Sequence, residues 1–312
     1  MQGESALENN TEYIGKVALH YECYSGTDLY QDGSEEELLE IVRNYDTAEY
    51  NRVIEERKSW PVLYHLSDIR GNIVDWIPFT KEDKILEIGS GCGAITGTLA
   101  RKAGKVDCIE LSRARSLINA ERYKSFDNID IKVGNFQDIE NTLTEKYDYI
   151  TLIGVLEYAA SYISSDHPYE EFLKIIKNHL KDGGKIITAI ENKYGLKYWA
   201  GCKEDHLGTY YSGIEGYVGV DSVRTFSKKG LEKLFVDCGM TDIKFYYPYP
   251  DYKLPLEIYS DEYLPKSGSL TNNFRNFDSE RMIVFDESKV FDNLIADGMF
   301  DIFSNSFLVI AG

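Results

Sequence analysis

A glycine-rich segment, "GSGCG" at residues 89–93, directly follows the apolar run "KILEI" and precedes a helical pattern. Glycines at alternate positions leave the backbone bare where a ligand has to approach it closely. The order strand, loop, helix is the one that places a nucleoside-type ligand at a helix N-terminus. A second apolar run, "VDCIEL", contains Glu110, 21 residues after Gly89. Because a carboxylate at that spacing can accept hydrogen bonds from both ribose hydroxyls, the pattern predicts a nucleoside site.

Two classes of ligand use such a site, and the glycine spacing distinguishes between them. A dinucleotide pocket prefers G-x-G-x-x-G with a diphosphate on the helix N-terminus. This chain has G-x-G-x-G followed by Ala94, and Glu87 lies at the entrance to the loop. The carboxylate of Glu87 would repel a diphosphate, whereas it suits a ligand that carries an ammonium group and a sulfonium charge.

At these residues the chain resembles the class I S-adenosylmethionine-dependent methyltransferases. The resemblance covers residues 84–248 and the C-terminal strand, and it rests on motifs in a fixed order: "LEIGSGCG", Glu110, "VGNFQD", "YDYITLIGVLEY" and "LKDGGKIITAIEN". The stretch 185–220 is also similar to bacterial methyltransferases that accompany surface-glycan glycosyltransferases. The resemblance implies S-adenosyl-L-methionine as the cofactor. It also implies an α/β fold with a Rossmann-like sheet of seven strands, six parallel and the seventh antiparallel.

The resemblance further implies roles for individual residues. Glu110 would bind the ribose hydroxyls, Leu111 would pack on the adenine, and Ile153 would border the transferable methyl group. Asn135 stands where the family often has an aspartate that contacts the adenine. The full set of implied cofactor contacts consists of loop and strand-end residues: Glu87, Gly89, Gly91, Gly93, Glu110, Leu111, Asn135, Phe136 and Ile153.

The residues that would act on the acceptor are expected in the polar, aromatic stretch "ENKYGLKYWAGCKEDHLGTYYSGIEGY" after the fifth core strand. Methyl transfer is an in-line displacement, so the protein mainly aligns the reactants, but a hydroxyl nucleophile also needs a base. His206 is the only histidine in this stretch, and a neutral imidazole could accept that proton. We therefore predict His206, Asp205 and Glu191 as catalytic residues. A structural role for His206 is the alternative, and Glu157 marks a second substrate-facing corner.

The same stretch contains three adjacent residues that are typical metal ligands. Glu204, Asp205 and His206 could supply oxygen and nitrogen ligands. Adjacent residues seldom converge on one ion without ligands from elsewhere, so the sequence predicts no metal.

The elements that must position these residues divide the chain into three parts. Turn signals and partial alternation predict a hairpin within residues 11–33, and three helices should follow, starting near Ser34, Thr47 and Pro61. From residue 84, short apolar runs alternate with helical patterns, which predicts a parallel sheet. We assign residues 61–248 with 305–312 to the cofactor-binding core and residues 1–60 to an N-terminal cap. The insertion 249–304 is expected to cap the substrate, with a packing role distant from the site as the alternative.

Composition excludes several other classes of function. The 312-residue chain has a formal net charge of −18 and no basic run longer than Lys228-Lys229, which argues against nucleic acid as a partner. It has no apolar run long enough for a membrane span, and its first residues are polar, unlike a secretory signal. Five scattered cysteines fit reduced thiols. A cytoplasmic location is expected, and the sequence does not indicate an oligomeric state.

The acceptor is the least determined part of the prediction. "IGVLEY" replaces the "NPPY" or "DPPY" motif with which related enzymes hold a planar amino group, and 24 tyrosines suit a polyhydroxylated or aromatic acceptor. We expect methyl transfer to a hydroxyl of a small molecule or saccharide. The alternatives are N- or C-methylation of a small metabolite or natural product, an NAD-dependent oxidoreductase, and a non-catalytic protein that only binds the cofactor.

Overall fold

A computed structural model describes residues 10–28, 30–273 and 281–312. The chain forms two compact units, Met1–Ile150 and Thr151–Gly312. Residues 274–280 of the predicted insertion lie outside the described part. The predicted division at residues 60, 248 and 304 stays a prediction.

The first unit is built on a mainly parallel sheet. Its strands lie in the order β1-β2-β5-β4-β3-β6. The hairpin β1–β2 is antiparallel, with Ile14 opposite Val17. Strand β2 then pairs in parallel with β5, β5 with β4, and β4 with β3. The strands are β1 Thr11–Ile14, β2 Val17–His20, β3 Lys84–Ile88, β4 Lys105–Glu110, β5 Ile129–Val133 and β6 Tyr147–Ile153, of which β6 continues into the second unit.

The described residues of the first unit contain seven α-helices, and the N-terminal ones share a core with the glycine loop. Leu38, Ile41 and Val42 recur on one face of the first helix, and this face packs in a cluster that includes Cys92 of the loop. Residues of the expected N-terminal cap are therefore part of this unit, and their role toward a substrate stays a prediction. The helices are α1 Glu35–Asn44, α2 Tyr50–Arg57, α3 Trp60–Leu66, α4 Asn72–Asp75, α5 Thr96–Lys102, α6 Arg113–Arg122 and α7 Phe136–Ile139.

The second unit carries the rest of the strands in the order β6-β7-β10-β8-β9. Strand β10 is antiparallel to both of its neighbours, with Ser306 opposite Glu191 and Leu308 opposite Tyr246. This antiparallel last strand was predicted. The strands are β7 Leu180–Glu191, β8 Ile243–Tyr249, β9 Glu257–Ser260 and β10 Ser306–Ala311, and the helices are α8 Ala159–Tyr162, α9 Pro168–Asn178, α10 Leu196–Trp199, α11 Lys228–Asp237, α12 Glu287–Ala296 and α13 Phe300–Phe303.

The predicted number of seven strands was wrong, because the described residues contain ten. The three additional strands are β1, β2 and β9. Strand β2 pairs with β5 and β9 with β8, so both cover strands that would otherwise present unpaired backbone groups at a sheet edge. None of the helices in the described ranges has both the length and the apolar character that crossing a bilayer requires.

Candidate functional site

The glycine loop adopts a backbone conformation that favours glycine at three positions. Gly89, Gly91 and Gly93 have φ angles of +72°, +53° and +78°, in the left-handed region that favours glycine. A Cβ added at Gly91 would meet nothing within 4 Å, whereas one at Gly93 would lie 2.3 Å from Oδ1 of Asn119. Gly93 is therefore required for packing, and Gly91 combines a glycine-specific conformation with an open side on which a ligand has room.

Glu110 ends strand β4 and fixes the loop to it. Its Oε2 accepts a hydrogen bond from the Gly91 N–H at 2.7 Å, and its Oε1 accepts one from the Ser112 N–H at 2.9 Å. Burial raises the pKa of Glu110, although these backbone hydrogen bonds oppose the shift. An ionised carboxylate has about four acceptor positions. Two bonds to the backbone therefore leave acceptor capacity for the predicted ribose hydroxyls.

Glu87 lies deeper than the sequence suggested. Its Oε2 accepts hydrogen bonds from Oγ1 of Thr96 at 2.6 Å and from Sγ of Cys108 at 3.5 Å, and the residue is only 4% exposed. Burial raises the pKa of Glu87 to about 7, because ionisation in a desolvated site is unfavourable. The carboxyl group thus supports the loop from beneath, and its predicted contact with the methionine moiety stays a prediction.

The remaining predicted cofactor contacts lie at strand ends. Leu111 is half-buried after β4, and Phe136 is buried at the start of α7. The Oδ1 of Asn135 accepts the Gln137 N–H at 3.1 Å and caps α7, so this oxygen is used by the helix. Ile153 ends β6 in the second unit. Their predicted contacts with the adenine and the methyl group stay predictions.

Sequence reasoning missed two arginines of α6, one of which binds the glycine loop and the other the start of α1 and the segment before it. Arg122 donates to the carbonyls of Cys92 and His65, each at 2.8 Å. Arg115 pairs with Glu35 at 3.1 Å and with Asp32 at 2.8 Å. The two arginines are seven residues apart and therefore share one helix face, a spacing that the sequence displays.

The second unit brings three predicted or noted acidic residues onto His206. Nδ1–H of His206 donates to Oε1 of Glu204 at 2.8 Å. Nε2 lies 3.6 Å from Oε1 of Glu157 and 3.8 Å from Oε2 of Glu191. The side chains of these four residues are at most 5% exposed. We call Glu157, Glu191, Glu204 and His206 the histidine–carboxylate cluster.

The charges of this cluster overturn the predicted neutral state of His206. Burial by itself lowers the pKa of His206, but the charge of Glu191 and the hydrogen bonds to Glu157 and Glu204 outweigh it and raise the pKa to about 11. In the ligand-free protein the ring is therefore an imidazolium at neutral pH. An imidazolium cannot accept the proton of a hydroxyl group.

Asp205 also differs from its predicted catalytic role. It accepts a hydrogen bond from Tyr198 Oη at 2.5 Å and pairs with Nζ of Lys253 at 2.5 Å and Nζ of Lys197 at 2.9 Å. Burial would raise the pKa of Asp205, but the two ammonium groups hold it well below its usual range. Asp205 is therefore the counter-ion of the buried Lys197 and the partly buried Lys253, and it is a poor proton acceptor.

The lysines are functional-site residues that the sequence reasoning missed. Lys197 also pairs with Asp251 at 3.0 Å, and Lys253 lies 2.7 Å from Oε1 of Glu191. One sequence signal existed, since Lys197 interrupts the apolar turn "GLKYWAG" and is only 5% exposed. Lys253 and Asp251 carry no comparable local signal.

Three carboxylate oxygens of the histidine–carboxylate cluster are buried without a hydrogen-bond donor among the described residues, namely Oε2 of Glu157 and both oxygens of Glu191. Of these, Oε1 of Glu191 forms an ion pair with Lys253. With Glu204, Asp205 and Asp251 counted as well, five acidic side chains pair with three cations of the described residues, Lys197, Lys253 and His206. Buried charges are costly unless they are paired, so this region attracts donors and cations.

Comparisons with known proteins bear on the first of these two sites. A family model described as "Methyltransferase domain" matches residues 86–186. The ribosomal RNA small subunit methyltransferase A of Syntrophus aciditrophicus is 26% identical over 155 residues, which cover 49% of this chain and 50% of that protein. An uncharacterised methyltransferase of Staphylococcus carnosus is 26% identical over 192 residues, covering 61% of this chain and 82% of the other.

Among solved structures, a SAM-dependent methyltransferase from Archaeoglobus fulgidus is similar with a TM-score of 0.49 and 15% identity, over 84% of this chain and 99% of the other. The chain spans about half the length of the ribosomal RNA methyltransferase of Syntrophus aciditrophicus that it matches. The matched range 86–186 contains the glycine loop and Glu110. Residues 86–186 are similar to a methyltransferase domain, and the cofactor is S-adenosyl-L-methionine.

Proposed function

We propose that the chain transfers a methyl group from S-adenosyl-L-methionine to a hydroxyl of a small molecule or saccharide. The observation that carries the proposal is the loop geometry, in which Glu110 binds the Gly91 N–H at 2.7 Å and retains acceptor capacity for the ribose. The family match over residues 86–186 supports the same cofactor. The loop binds and orients the nucleoside, and the sulfonium supplies an activated leaving group.

The histidine–carboxylate cluster is the proposed acceptor site. Oε2 of Glu157 and Oε2 of Glu191 are buried acceptors without a donor in the described chain, and a substrate hydroxyl is a donor that satisfies them. Each new hydrogen bond to a charged carboxylate is worth about 1.5–3 kcal/mol. In this arrangement the two glutamates accept a hydrogen bond from the acceptor hydroxyl, orient it and take its proton during transfer. His206 and Asp205 hold the two glutamates in position.

Three other acceptor classes are separable by experiment. The acidic surroundings of His206 would also attract an amine, which keeps N-methylation as the second candidate. C-methylation requires stronger activation of the acceptor. The names of several relatives refer to ribosomal RNA, but a net charge of −18 disfavours RNA as the acceptor here. An oxidoreductase is disfavoured by the methyltransferase-domain match.

The test is a methyl-transfer assay with isotopically labelled S-adenosyl-L-methionine against a panel of saccharides, phenols, amines and RNA. We expect transfer to a saccharide or small-molecule hydroxyl, with the modified atom identified by mass spectrometry. Glu191→Gln should lower turnover about 100-fold or more while the cofactor Kd changes less than twofold. The control is Glu215→Gln, which removes an exposed carboxylate from the same unit. Transfer only to amines or RNA would overturn the proposed acceptor, and absence of cofactor binding would overturn the function.

A further inference from the structure

One ring nitrogen of His206 faces two buried carboxylates, those of Glu157 and Glu191. The proposed cofactor site does not involve these three groups. The three potential ligand atoms, one each from Glu157, Glu191 and His206, lie within 4.8 Å of one another. They come from three separate segments, the turn after β6, the end of β7 and the loop after α10. Glu157, Glu191 and His206 therefore converge from distant parts of the chain. The adjacent residues Glu204, Asp205 and His206, the candidate metal ligands by sequence, do not have this property.

The spacing of these atoms suits a common ion. Two ligand atoms that each lie about 2.1–2.2 Å from one ion, at a tetrahedral angle, are about 3.4–3.6 Å apart. The observed separations from Nε2 are 3.6 Å to Glu157 and 3.8 Å to Glu191. The two carboxylate oxygens lie within 4.8 Å of each other, so binding of one ion requires both carboxylates to move inward.

Glu204 supplies the outer support that metal-binding histidines usually have. It accepts the Nδ1–H of His206 at 2.8 Å, and its Oε2 is held by the N–H groups of His206 and Leu207 at 2.8 Å and 2.7 Å. This bond orients the ring so that Nε2 faces the two carboxylates. A carboxylate behind a ligating histidine fixes its orientation and raises its basicity.

An independent observation points to an occupant. Oε2 of Glu157 and Oε2 of Glu191 are buried without a donor in the described residues, and their side chains are 1% and 0% exposed. Lys253 approaches only the other oxygen of Glu191. Unpaired carboxylate oxygens at such depth are strongly unfavourable unless a cation or donor compensates them.

We infer that Glu157, Glu191 and Nε2 of His206 bind a divalent transition-metal ion, with Glu204 as the outer support. The ion displaces the proton from Nε2 of His206 into solvent, because only a neutral imidazole nitrogen can be a metal ligand. The donor set of one imidazole and two carboxylates is suited to ions such as Mn²⁺ or Zn²⁺. Three protein ligands leave coordination positions open. The use of these positions to bind the acceptor oxygen rests on the proposed function, whereas binding of the ion does not.

The experiment titrates Mn²⁺ into the chelator-treated full chain and follows free Mn²⁺ by electron paramagnetic resonance. Mn²⁺ is chosen because Zn²⁺ would also bind free cysteines. We expect one tight site per chain in the wild type, weakened at least tenfold in Glu157→Gln and Glu191→Gln, and about 10–100-fold in Glu204→Gln. Glu215→Gln should bind as the wild type does. Equal binding by all variants, or no binding at about 1 mM Mn²⁺, overturns the inference.

A measurement without substitutions covers the case in which a variant fails to fold. Crystals of the wild-type chain grown with Mn²⁺ should show an anomalous scattering peak beside Nε2 of His206 and both glutamates, and a peak only elsewhere refutes the site. Glu110→Gln, placed in the cofactor site, should retain Mn²⁺ binding. Loss of cofactor binding with intact Mn²⁺ binding in this variant separates the metal site from the proposed function.

Discussion

The buried carboxyl group of Glu87 should make the stability of the first unit depend on pH. The substitution Glu87→Gln should remove this contribution to the pH dependence. The residue is 4% exposed, and burial raises its pKa to about 7 from an ordinary value of 4.5. A group whose pKa is raised on folding contributes stability that is fully present below its unfolded pKa. That contribution is lost as the pH rises through the folded pKa. For Glu87 the loss therefore occurs between about pH 4.5 and pH 7.5.

The magnitude follows from the size of the shift. A difference of about 2.5 pKa units corresponds to about 3 kcal/mol of unfolding free energy, and about 2 kcal/mol of this falls between pH 5.5 and 8.5. Glu87→Gln has a neutral amide that can still accept the hydrogen bond from Thr96. The stability of the variant relative to the wild type should therefore increase by about 2 kcal/mol across this range.

The assay is urea denaturation of both proteins at half-unit pH steps, with circular dichroism as the signal. Taking the difference between the two proteins removes the contributions of all other titrating groups. Glu82→Gln, which removes an exposed carboxylate from the same unit, serves as the control. The difference in unfolding free energy between Glu87→Gln and the wild type could instead stay constant within about 0.5 kcal/mol from pH 5.5 to 8.5. That result would show that burial does not raise the pKa of Glu87, contrary to our reasoning.

Three further outcomes are expected. Glu110→Gln should weaken S-adenosyl-L-methionine binding about 10–100-fold in calorimetry, because the neutral amide loses a charge-assisted acceptor; unchanged affinity would remove Glu110 from the ribose site. Gly91→Ala, at φ +53°, should cost about 1 kcal/mol in denaturation, and no loss would mean that the loop relaxes freely. Asp205→Asn should destabilise the chain by about 3–5 kcal/mol, because Lys197 and Lys253 lose a buried counter-ion; a melting temperature equal to that of the wild type would contradict this.

The first site was largely accessible from the sequence because its determinants are local. The glycine spacing predicts a bare backbone that a ligand can approach, and the strand–loop–helix order with Glu110 at its distance predicts a carboxylate for the ribose hydroxyls. The structure shows the Glu110–Gly91 hydrogen bond at 2.7 Å. The depth of Glu87 was not predictable in the same way, since it depends on Thr96 and Cys108 packing around the carboxyl group.

The number of strands also depended on tertiary contacts that the sequence pattern does not show. The alternating pattern in residues 11–33 predicted a hairpin, and β1 and β2 form one. It could not predict that β2 pairs with β5, because edge pairing depends on which strand is left uncovered once the sheet has formed. The sheet therefore has more strands than the resemblance implied.

What the amino-acid sequence determined by itself is the glycine loop and the acidic residue at the end of β4, because each follows from residue types at short, fixed spacing. The antiparallel last strand was implied by the resemblance to a family. Only the tertiary structure decided the environment of His206, since Glu157 and Glu191 lie 49 and 15 residues before it in the chain. Ionisation and metal affinity depend on charges within a few ångströms, and folding alone selects which distant side chains occupy that space.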